Sequence, residues 1–296
     1  MLLDSSNHEL GVRQFMDYFR LQPQPPEKKY LTKILAEFAH LPYENISKII
    51  KWNDQFNSQT SLRLPEEVIS DHIDWRLGGT CFSLTFFLQS ILSQSGFSCY
   101  PIMADMQAGR NIHCALIVVM QNQKYLVDPG YLLSQPLLID PPLTRQHRTD
   151  FQGLVRLCSP QVARPDTAKV ALVYQPDENR YHLFTTANGQ RKWRYSFGDQ
   201  PTPSAEFLQH WQASFQRNSM HGICLTKVQK DGLIYIHKHF MRTTDSNGKK
   251  NYNIRNQYHQ TIQTIFGIDE QWVEHALVAL AENLKRERKS EFSRTK

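Results

Sequence analysis

The sequence has no long apolar run. Its longest uninterrupted run of apolar residues is Cys114 to Met120, whereas a membrane-spanning helix needs about 20 such residues. The first ten residues also lack the basic start and the apolar centre of a secretion signal. We therefore expect a cytoplasmic protein with no membrane partner.

Cysteines are few and scattered. The chain has 5 of them, with no C-x-x-C pair. They are Cys81, Cys99, Cys114, Cys158 and Cys224. This pattern argues against a disulfide framework and against a cysteine-rich zinc site. His237 and His239 offer two metal ligands where a zinc site needs three or four, so we expect no metal.

The common phosphate-binding motifs are also missing. There is neither a P-loop nor a G-x-G-x-x-G stretch. The phosphates of a cofactor would therefore have to be bound by dispersed basic residues, and the stretches 191–194 and 217–230 are the candidates.

The net charge is less informative than it first looks. The chain carries 34 basic and 28 acidic residues, a net charge of +6, which would be compatible with a nucleic-acid partner. Residues 285–296 alone contribute a net charge of +4, so the other residues together carry only +2. We therefore expect a basic tail on a nearly neutral protein and no nucleic acid.

The order of local patterns predicts an α+β protein. Helical patterns fill the first 95 residues, including an apolar stripe from Leu31 to Phe38 and a mostly apolar helix from about Thr80 to Gly96. Short β-branched and aromatic runs then predict strands at 98–103, 113–120, 124–127, 154–157, 170–174, 181–186 and 192–197. Such a series favours a small antiparallel barrel or sandwich.

The last third of the chain mixes both kinds of pattern. We predict a helix over 205–216, a hairpin of 223–227 with 233–237, and a closing helix over 272–288. The resulting division is a helical domain at 1–97, a β-barrel domain at 98–200, an α/β segment at 201–284 and the basic tail at 285–296.

Cys81 is the candidate nucleophile. It follows Gly78 and Gly79 and is predicted to lie in the first turn of a helix. The free N–H groups and the positive dipole of a helix N-terminus favour a thiolate over a thiol, and they could also stabilise an oxyanion. The alternative is that Cys81 is an ordinary buried cysteine without chemistry.

His113 and Asp128 are the candidate base and its partner. His113 opens the strongest strand and Asp128 closes the next one. A carboxylate bonded to one ring nitrogen of a histidine fixes its tautomer and stabilises the imidazolium. In a hairpin that turns at 121–124, His113 lies opposite residues just beyond Asp128, so a bulge or a bend after Asp128 is needed. Alternatively, His113 is only a strand-edge histidine, and Asp128 only caps the Asp-Pro-Gly turn.

Four stretches together resemble the arylamine N-acetyltransferase family. They are Leu41-Pro42-Tyr43-Glu44-Asn45-Ile46, Arg76-Leu77-Gly78-Gly79-Thr80-Cys81-Phe82, the His113 strand with Tyr125-Leu126-Val127-Asp128-Pro129-Gly130, and Ile265-Phe266-Gly267-Ile268. The likeness runs from about Glu27 to about Ile268. The nucleophile motif is specific, and its order with the later histidine and aspartate makes coincidence improbable.

The resemblance implies a three-part fold with a helical N-terminal domain, an antiparallel β-barrel and an α/β lid around a cysteine-protease-like catalytic core. It also implies a triad of Cys81, His113 and Asp128. Acetyl-coenzyme A would be the acyl donor, and an arylamine, a hydrazine or an N-hydroxyarylamine would be the acceptor of a ping-pong reaction through an acetyl-cysteine thioester.

Further residues take roles from the same resemblance. Phe82, Gly130 and Tyr131 become substrate-pocket candidates. Glu44 is expected to pair with Arg76 and so to anchor the loop before Cys81.

Departures from the family pattern keep three alternatives open. Ser83, Thr85 and Tyr131 replace residues that are common in the family, which suggests an amide synthase that joins a thioester-bound acyl chain to an aromatic amine. A cysteine hydrolase would use the same triad with water. A non-catalytic binding protein of the same fold is the third alternative.

Overall fold

The computed structural model describes residues 3–139, 161–162, 169–187, 190–229, 232–245 and 248–294. The strand expected at 154–157 and the cysteine Cys158 lie outside these ranges. No helix of the described chain is both long enough and apolar enough to cross a membrane.

Five helices form the N-terminal part. They are α1 (Glu9–Tyr18), α2 (Lys28–Phe38), α3 (Ile46–Gln55), α4 (Pro65–Trp75) and α5 (Cys81–Gln94). The apolar stripe of α2 is buried as its spacing predicts. Helix α5 is apolar on nearly all sides and buried over most of its length. It is therefore the central element, against which α1, α4 and two strands pack.

Local sequence sets the ends of these helices. Pro65 occupies the first turn of α4, where its missing N–H costs nothing. Helix α5 stops before Gly96, whose φ of +85° is a left-handed conformation that glycine adopts without strain. The end of α5 is thus placed as the sequence predicts.

Eight antiparallel strands form the barrel sheet. They are β2 (Ser98–Met106), β3 (Gly109–Met120), β4 (Gln123–Val127), β5 (Leu137–Ile139), β6 (Gln161–Val162), β7 (Lys169–Gln175), β8 (Arg180–Ala187) and β9 (Gln190–Phe197). Their order is β5-β4-β3-β2-β9-β8-β7-β6, a nearly closed barrel. Its core is filled by the inward side chains of these strands, such as Ile102, Ile117 and Leu183.

A second sheet has five antiparallel strands among the described residues. It contains β1 (Tyr43–Glu44), β10 (Cys224–Gln229), β11 (Gly232–His237), β12 (Phe240–Asp245) and β13 (Gly248–Asn253), in the order β1-β10-β11-β12-β13. The predicted hairpin is confirmed by the pairing of β10 with β11. The sequence did not predict β12 and β13, because β13 is almost wholly polar and exposed and carries no apolar alternation.

Three helices complete the chain: α6 (Ser204–Ala213), α7 (Tyr258–Phe266) and α8 (Glu270–Arg294). Short 3₁₀ turns lie at Ser5–His8, Ser214–Gln216, Asn218–Met220 and Arg255–Gln257. Helix α8 packs on α3, where Asn283 donates to the Ile49 carbonyl. The helix continues to Arg294, so the basic residues after position 284 extend α8. The fourfold domain division remains a prediction.

Candidate active site

Cys81 is the first residue of α5 and is only 8% exposed. The helix begins after Thr80, which has an extended backbone and makes no side-chain cap. The N–H of Leu84 bonds back to the Thr80 carbonyl, so the N–H groups that precede it have no partner within the helix. Cys81 therefore lies at the positive end of a buried helix.

The loop before Cys81 is fixed by backbone and carboxylate contacts. The Gly78 N–H donates to Glu44 Oε1 at 3.2 Å. The Gly79 N–H donates to the Pro42 carbonyl, and the Glu44 N–H donates to the Gly79 carbonyl. A Cβ on Gly78 would collide with the Pro42 carbonyl. Glycine is thus required where the loop passes under β1.

The expected pairing of Glu44 with Arg76 is wrong. Glu44 is fully buried and pairs with Arg63, which also donates to the Gly78 carbonyl at 2.6 Å. Arg76 lies at the left-handed end of α4 and points outward, where it bonds to the Tyr18 hydroxyl. Glu44 does anchor the loop, but its cation comes from the segment before α4.

His113 and Asp128 meet because the chain bends after β4. The register pairs Leu116 with Val127 and Met120 with Gln123, which places His113 three residues beyond the last pair of the ladder. The Asp128-Pro129 turn then brings the carboxylate back. His113 Nε2 lies 2.8 Å from Asp128 Oδ2. The bend that the sequence required is therefore present.

Asp128 is fully buried and hydrogen-bonded. Besides His113, it accepts from the Tyr195 hydroxyl at 2.6 Å and from the Tyr131 N–H at 2.9 Å. A buried carboxylate needs such donors to remain charged. The sequence predicts only a strand over 192–197, and the place of Tyr195 on β9 reveals this contact.

Gly130 occupies the narrow space between Cys81 and His113. A Cβ built on it would lie 2.9 Å from Cys81 Cβ and 2.9 Å from His113 Cε1. With Nε2 bonded to Asp128, the other ring nitrogen of His113 is left for the Cys81 sulfur. The absence of a side chain at position 130 lets the histidine and the cysteine approach each other.

The electrostatics of the site favour a thiolate–imidazolium pair. Hydrogen bonds from Cys114 and then from His113 hold the pKa of the Cys81 thiol well below its usual value, although burial acts in the opposite direction. Burial also opposes the charged form of His113, but the charge and hydrogen bond of Asp128 outweigh it and raise the pKa of His113 to about 10. Both shifts favour charge separation near neutral pH.

Cys114 contributes to the site, which the sequence did not anticipate. Because successive side chains of a strand point to opposite faces, Cys114 should lie on the face of β3 opposite to its neighbour His113. Cys114 is indeed fully buried, with its Sγ 3.5 Å from Thr85 Oγ1. Its thiol also interacts with Cys81, and burial raises the pKa of the Cys114 thiol well above its usual value, so this thiol stays protonated.

A cavity of about 870 Å³ opens at Cys81 and His113, and its walls come from both sheets. All three residues expected to line a substrate pocket, Phe82, Gly130 and Tyr131, do line it. His237 and His239 are not among the lining residues. The cavity connects Cys81 and His113 with two sets of basic residues.

The two basic sets lie at different places along the cavity. The inner set is Lys48 and Arg217, which interact electrostatically with Cys81. The outer set, which we call the rim cluster, consists of Lys192, Arg194, Arg242 and Lys249. The stretch 191–194 was a candidate from the sequence. In the second candidate stretch, 217–230, Arg217 lines the cavity. Lys227 instead donates to the Ile265 carbonyl, and Lys230 lies outside the described residues.

A family model and solved structures both match this chain. The family model described as N-acetyltransferase matches residues 29–274. A search of curated proteins finds no match. The matched segment contains Cys81, His113 and Asp128.

Solved structures share the fold at low sequence identity. The arylamine N-acetyltransferase from Mycobacterium abscessus is 14% identical, with 94% of this chain and 97% of that chain covered and a TM-score of 0.75. The enzyme from Salmonella typhimurium is also 14% identical, with 91% and 98% covered and a TM-score of 0.70. The Bacillus cereus enzyme, described as having a unique Cys-His-Glu catalytic triad, is 16% identical, with 88% and 98% covered and a TM-score of 0.64.

Proposed function

The chain belongs to the arylamine N-acetyltransferase family and is an acyltransferase, and from that premise we propose that it transfers the acetyl group of acetyl-coenzyme A to a small aromatic amine or hydrazine. The observation that carries the proposal is the buried Cys81–His113–Asp128 arrangement at the inner end of a cavity with a basic rim. Cys81 is the nucleophile, His113 the acid and base, and Asp128 the group that orients His113.

The first half-reaction forms a thioester. The Cys81 thiolate attacks the acetyl carbonyl carbon, and the carbon–sulfur bond to coenzyme A breaks. The His113 imidazolium gives its proton to the departing thiolate. The free N–H groups at the start of α5 stabilise the negative charge on the carbonyl oxygen. The energy cost of the exchange is small because one thioester replaces another.

The second half-reaction transfers the acetyl group to the amine. The neutral nitrogen attacks the thioester carbon, the bond to Cys81 breaks, and the thiolate is restored. His113, now neutral, takes the proton that the nitrogen loses. Asp128 compensates the positive charge that His113 acquires, and Tyr195 and the Tyr131 N–H keep Asp128 in place.

The rim cluster binds the phosphates of coenzyme A. Its four cations come from β9, β12 and β13, and none of them forms an ion pair with a carboxylate of the described chain. Burial, together with the neighbouring charges of Arg194, Arg242 and Lys192, lowers the pKa of Lys249. Mutual repulsion of this kind is relieved by a polyanion. The rim cluster thus replaces the missing P-loop.

An acyl donor without phosphate groups tests whether the rim cluster binds phosphate or only stabilises the structure. In a Lys192→Met/Lys249→Met variant we expect KM for acetyl-coenzyme A to rise about tenfold or more, while KM for S-acetylpantetheine stays within about twofold. Equal changes in both would contradict the phosphate role. A surface variant such as Lys33→Met serves as the matched control.

Two of the departures that suggested an amide synthase do not reach the cavity. The Ser83 hydroxyl donates to the Thr80 carbonyl and the Thr85 hydroxyl to the Cys114 carbonyl. Both side chains are buried, and neither lines the cavity. Only Tyr131 lines the cavity, so transfer to a small amine is the better-supported acceptor reaction.

Intact mass spectrometry tests the central step. Incubation with acetyl-coenzyme A should add one acetyl group, which a subsequent arylamine removes. Cys81→Ala should show neither, while Cys99→Ala, a half-buried cysteine outside the cavity, should behave as the wild type. Acetylation of Cys81→Ala at an undiminished rate would contradict the proposal. Rapid loss of acetyl-coenzyme A without an amine would instead indicate a hydrolase.

A further inference from the structure

The inner end of the cavity holds a buried lysine. Lys48 lies on α3 and is only 5% exposed. Its Nζ donates to the Ser214 carbonyl at 3.1 Å and to Ser214 Oγ at 2.6 Å, and it lies 4.5 Å above the centre of the Phe215 ring. These partners hold the ammonium group in place, but none of them is an anion.

Arg217 lines the same part of the cavity. Its Nη2 donates to the Asn111 carbonyl at 3.1 Å, whereas its Nη1 is buried and has no hydrogen-bond partner in the described chain. The segment that follows Arg217 is anchored by Asn45, whose amide donates to the Ser219 and Gly222 carbonyls. Arg217 thus lines the cavity and keeps one buried guanidinium nitrogen without an acceptor among the described residues.

Neither cation has a carboxylate partner among the described residues. Arg63, by contrast, is as deeply buried as Lys48 and pairs with Glu44 and Asp71. A buried charge without a counter-ion is costly, and burial lowers the pKa of Lys48 to about 7. The negative group that favours the charged form of both side chains is the Cys81 thiolate.

Acylation removes that negative group. When Cys81 becomes a thioester, its sulfur is neutral, so Lys48 and Arg217 lose their main source of compensation. At that stage the acyl group and the acceptor both lie in the cavity. A carboxylate on either of them would restore the charge balance and would satisfy the free Arg217 nitrogen.

We propose that Lys48 and Arg217 form an anion subsite, which binds a carboxylate carried by one of the two substrates beside the reacting carbon. The proposal rests on the acyl transfer described above. The carboxylate belongs either to an acyl group derived from a dicarboxylic acid or to an aromatic amine such as an aminobenzoate. The two sources share one chemistry and are separated by experiment.

The kinetic test has a donor arm and an acceptor arm. The donor arm compares malonyl-coenzyme A with butyryl-coenzyme A, using an uncharged amine. The acceptor arm compares 4-aminobenzoate with 4-aminobenzamide, using acetyl-coenzyme A. We expect kcat/KM to favour the carboxylate at least tenfold in one arm. Lys48→Met and Arg217→Gln should each reduce that ratio about tenfold, and Lys33→Met should leave it unchanged.

A binding test does not depend on catalysis. Calorimetry with benzoate and with monomethyl malonate should show tighter binding to Cys81→Ala than to the wild type, because the thiolate that competes for the two cations is gone. Benzamide should show no such difference. This measurement keeps the subsite testable even if acetylation of Cys81 is not observed, since that result would contradict the proposed function alone.

The outcomes are distinct. A preference in the donor arm assigns the carboxylate to the acyl group, and a preference in the acceptor arm assigns it to the amine. The subsite is refuted if no carboxylate is preferred in either kinetic arm and neither benzoate nor monomethyl malonate binds more tightly to Cys81→Ala. It is also refuted if the kinetic preference for the carboxylate is unchanged in both Lys48→Met and Arg217→Gln. A lower melting temperature of Lys48→Met without a change in the ratio would mean that Lys48 only holds the end of α6.

Discussion

Substitution of Gly130 by alanine tests how closely the nucleophile and the base must approach. The added methyl group would lie 2.9 Å from Cys81 Cβ, 2.9 Å from His113 Cε1 and 3.3 Å from Cys81 Cα. Carbon atoms in favourable contact are about 3.5–4.0 Å apart. Cys81 and His113 must therefore move away from position 130, each by about 0.6–1.1 Å.

A displacement of this size should reduce catalysis more than stability. A misplacement of about 1 Å can lower a rate about a hundredfold, which corresponds to about 2.7 kcal/mol in the activation free energy. Overpacking of a buried site costs about 1–3 kcal/mol in the free energy of unfolding. The variant should therefore remain folded at 25 °C, provided that the parent has a typical stability of about 5–15 kcal/mol.

The assay is the single-turnover rate at which acetyl-coenzyme A acetylates Cys81, followed by intact mass. Gly198→Ala is the matched control, because a Cβ at that position meets no atom within 4 Å. We expect a loss of about a hundredfold in Gly130→Ala and no more than about twofold in Gly198→Ala. Urea unfolding of both variants separates a local displacement from global destabilisation.

An acetylation rate in Gly130→Ala within about threefold of the wild type would refute the reasoning. It would mean that the Cys81–His113 distance does not limit thioester formation. Equal losses in the two alanine variants would also refute it, since the effect would then not arise at the contact between the nucleophile and the base.

Three other substitutions test the remaining contacts of the site. In Asp128→Asn the imidazolium loses its main support, so the pH at which alkylation of Cys81 by iodoacetamide is half-maximal should rise from its low wild-type value toward about 8.5; an unchanged pH profile would argue against the role of the carboxylate. Glu44→Gln should lower the free energy of unfolding by about 3 kcal/mol in urea, whereas the exposed Arg76→Met should change it by less than about 0.5 kcal/mol. A larger loss of stability in Arg76→Met than in Glu44→Gln would instead support a pairing of Glu44 with Arg76. Tyr195→Phe removes a donor from a buried carboxylate and should cost about 1.5–3 kcal/mol in the same assay; a loss below about 0.5 kcal/mol would show that the hydroxyl contributes little.

Helices and strands could be predicted where residues within the element itself, such as a glycine at its end, determine it. The glycine pair before Cys81 and the glycine at position 96 mark the two ends of α5, and both ends agree with the structure. Short runs of β-branched and aromatic residues predicted β3 and β4, and counting from the turn between them showed that a bend had to follow Asp128. The sequence did not predict β12 and β13, because β12 is held by pairing with β11, and β13 by pairing with β12, rather than by apolar burial.

Partners of charged side chains were not predictable in the same way. Arg63 and Arg76 lie at the two ends of α4, and only the packed structure shows that Arg63 turns inward to Glu44 while Arg76 is exposed. Lys48 and Arg217 come from distant parts of the sequence, yet the packing of α3 beneath the segment after α6 brings both to Cys81. No spacing rule connects such positions.

The sequence by itself determined the family, the fold class and the identity of the three candidate catalytic residues, because these depend on motifs and on the order of helices and strands. Only the tertiary structure decided which groups set the charge of that site. Asp128 accepts a hydrogen bond from Tyr195, and Cys114 lowers the pKa of Cys81. The residues of the rim cluster come from separate strands. The physical reason is that electrostatic interactions depend on distance and burial, and both are fixed only when the two sheets and the helices have packed together.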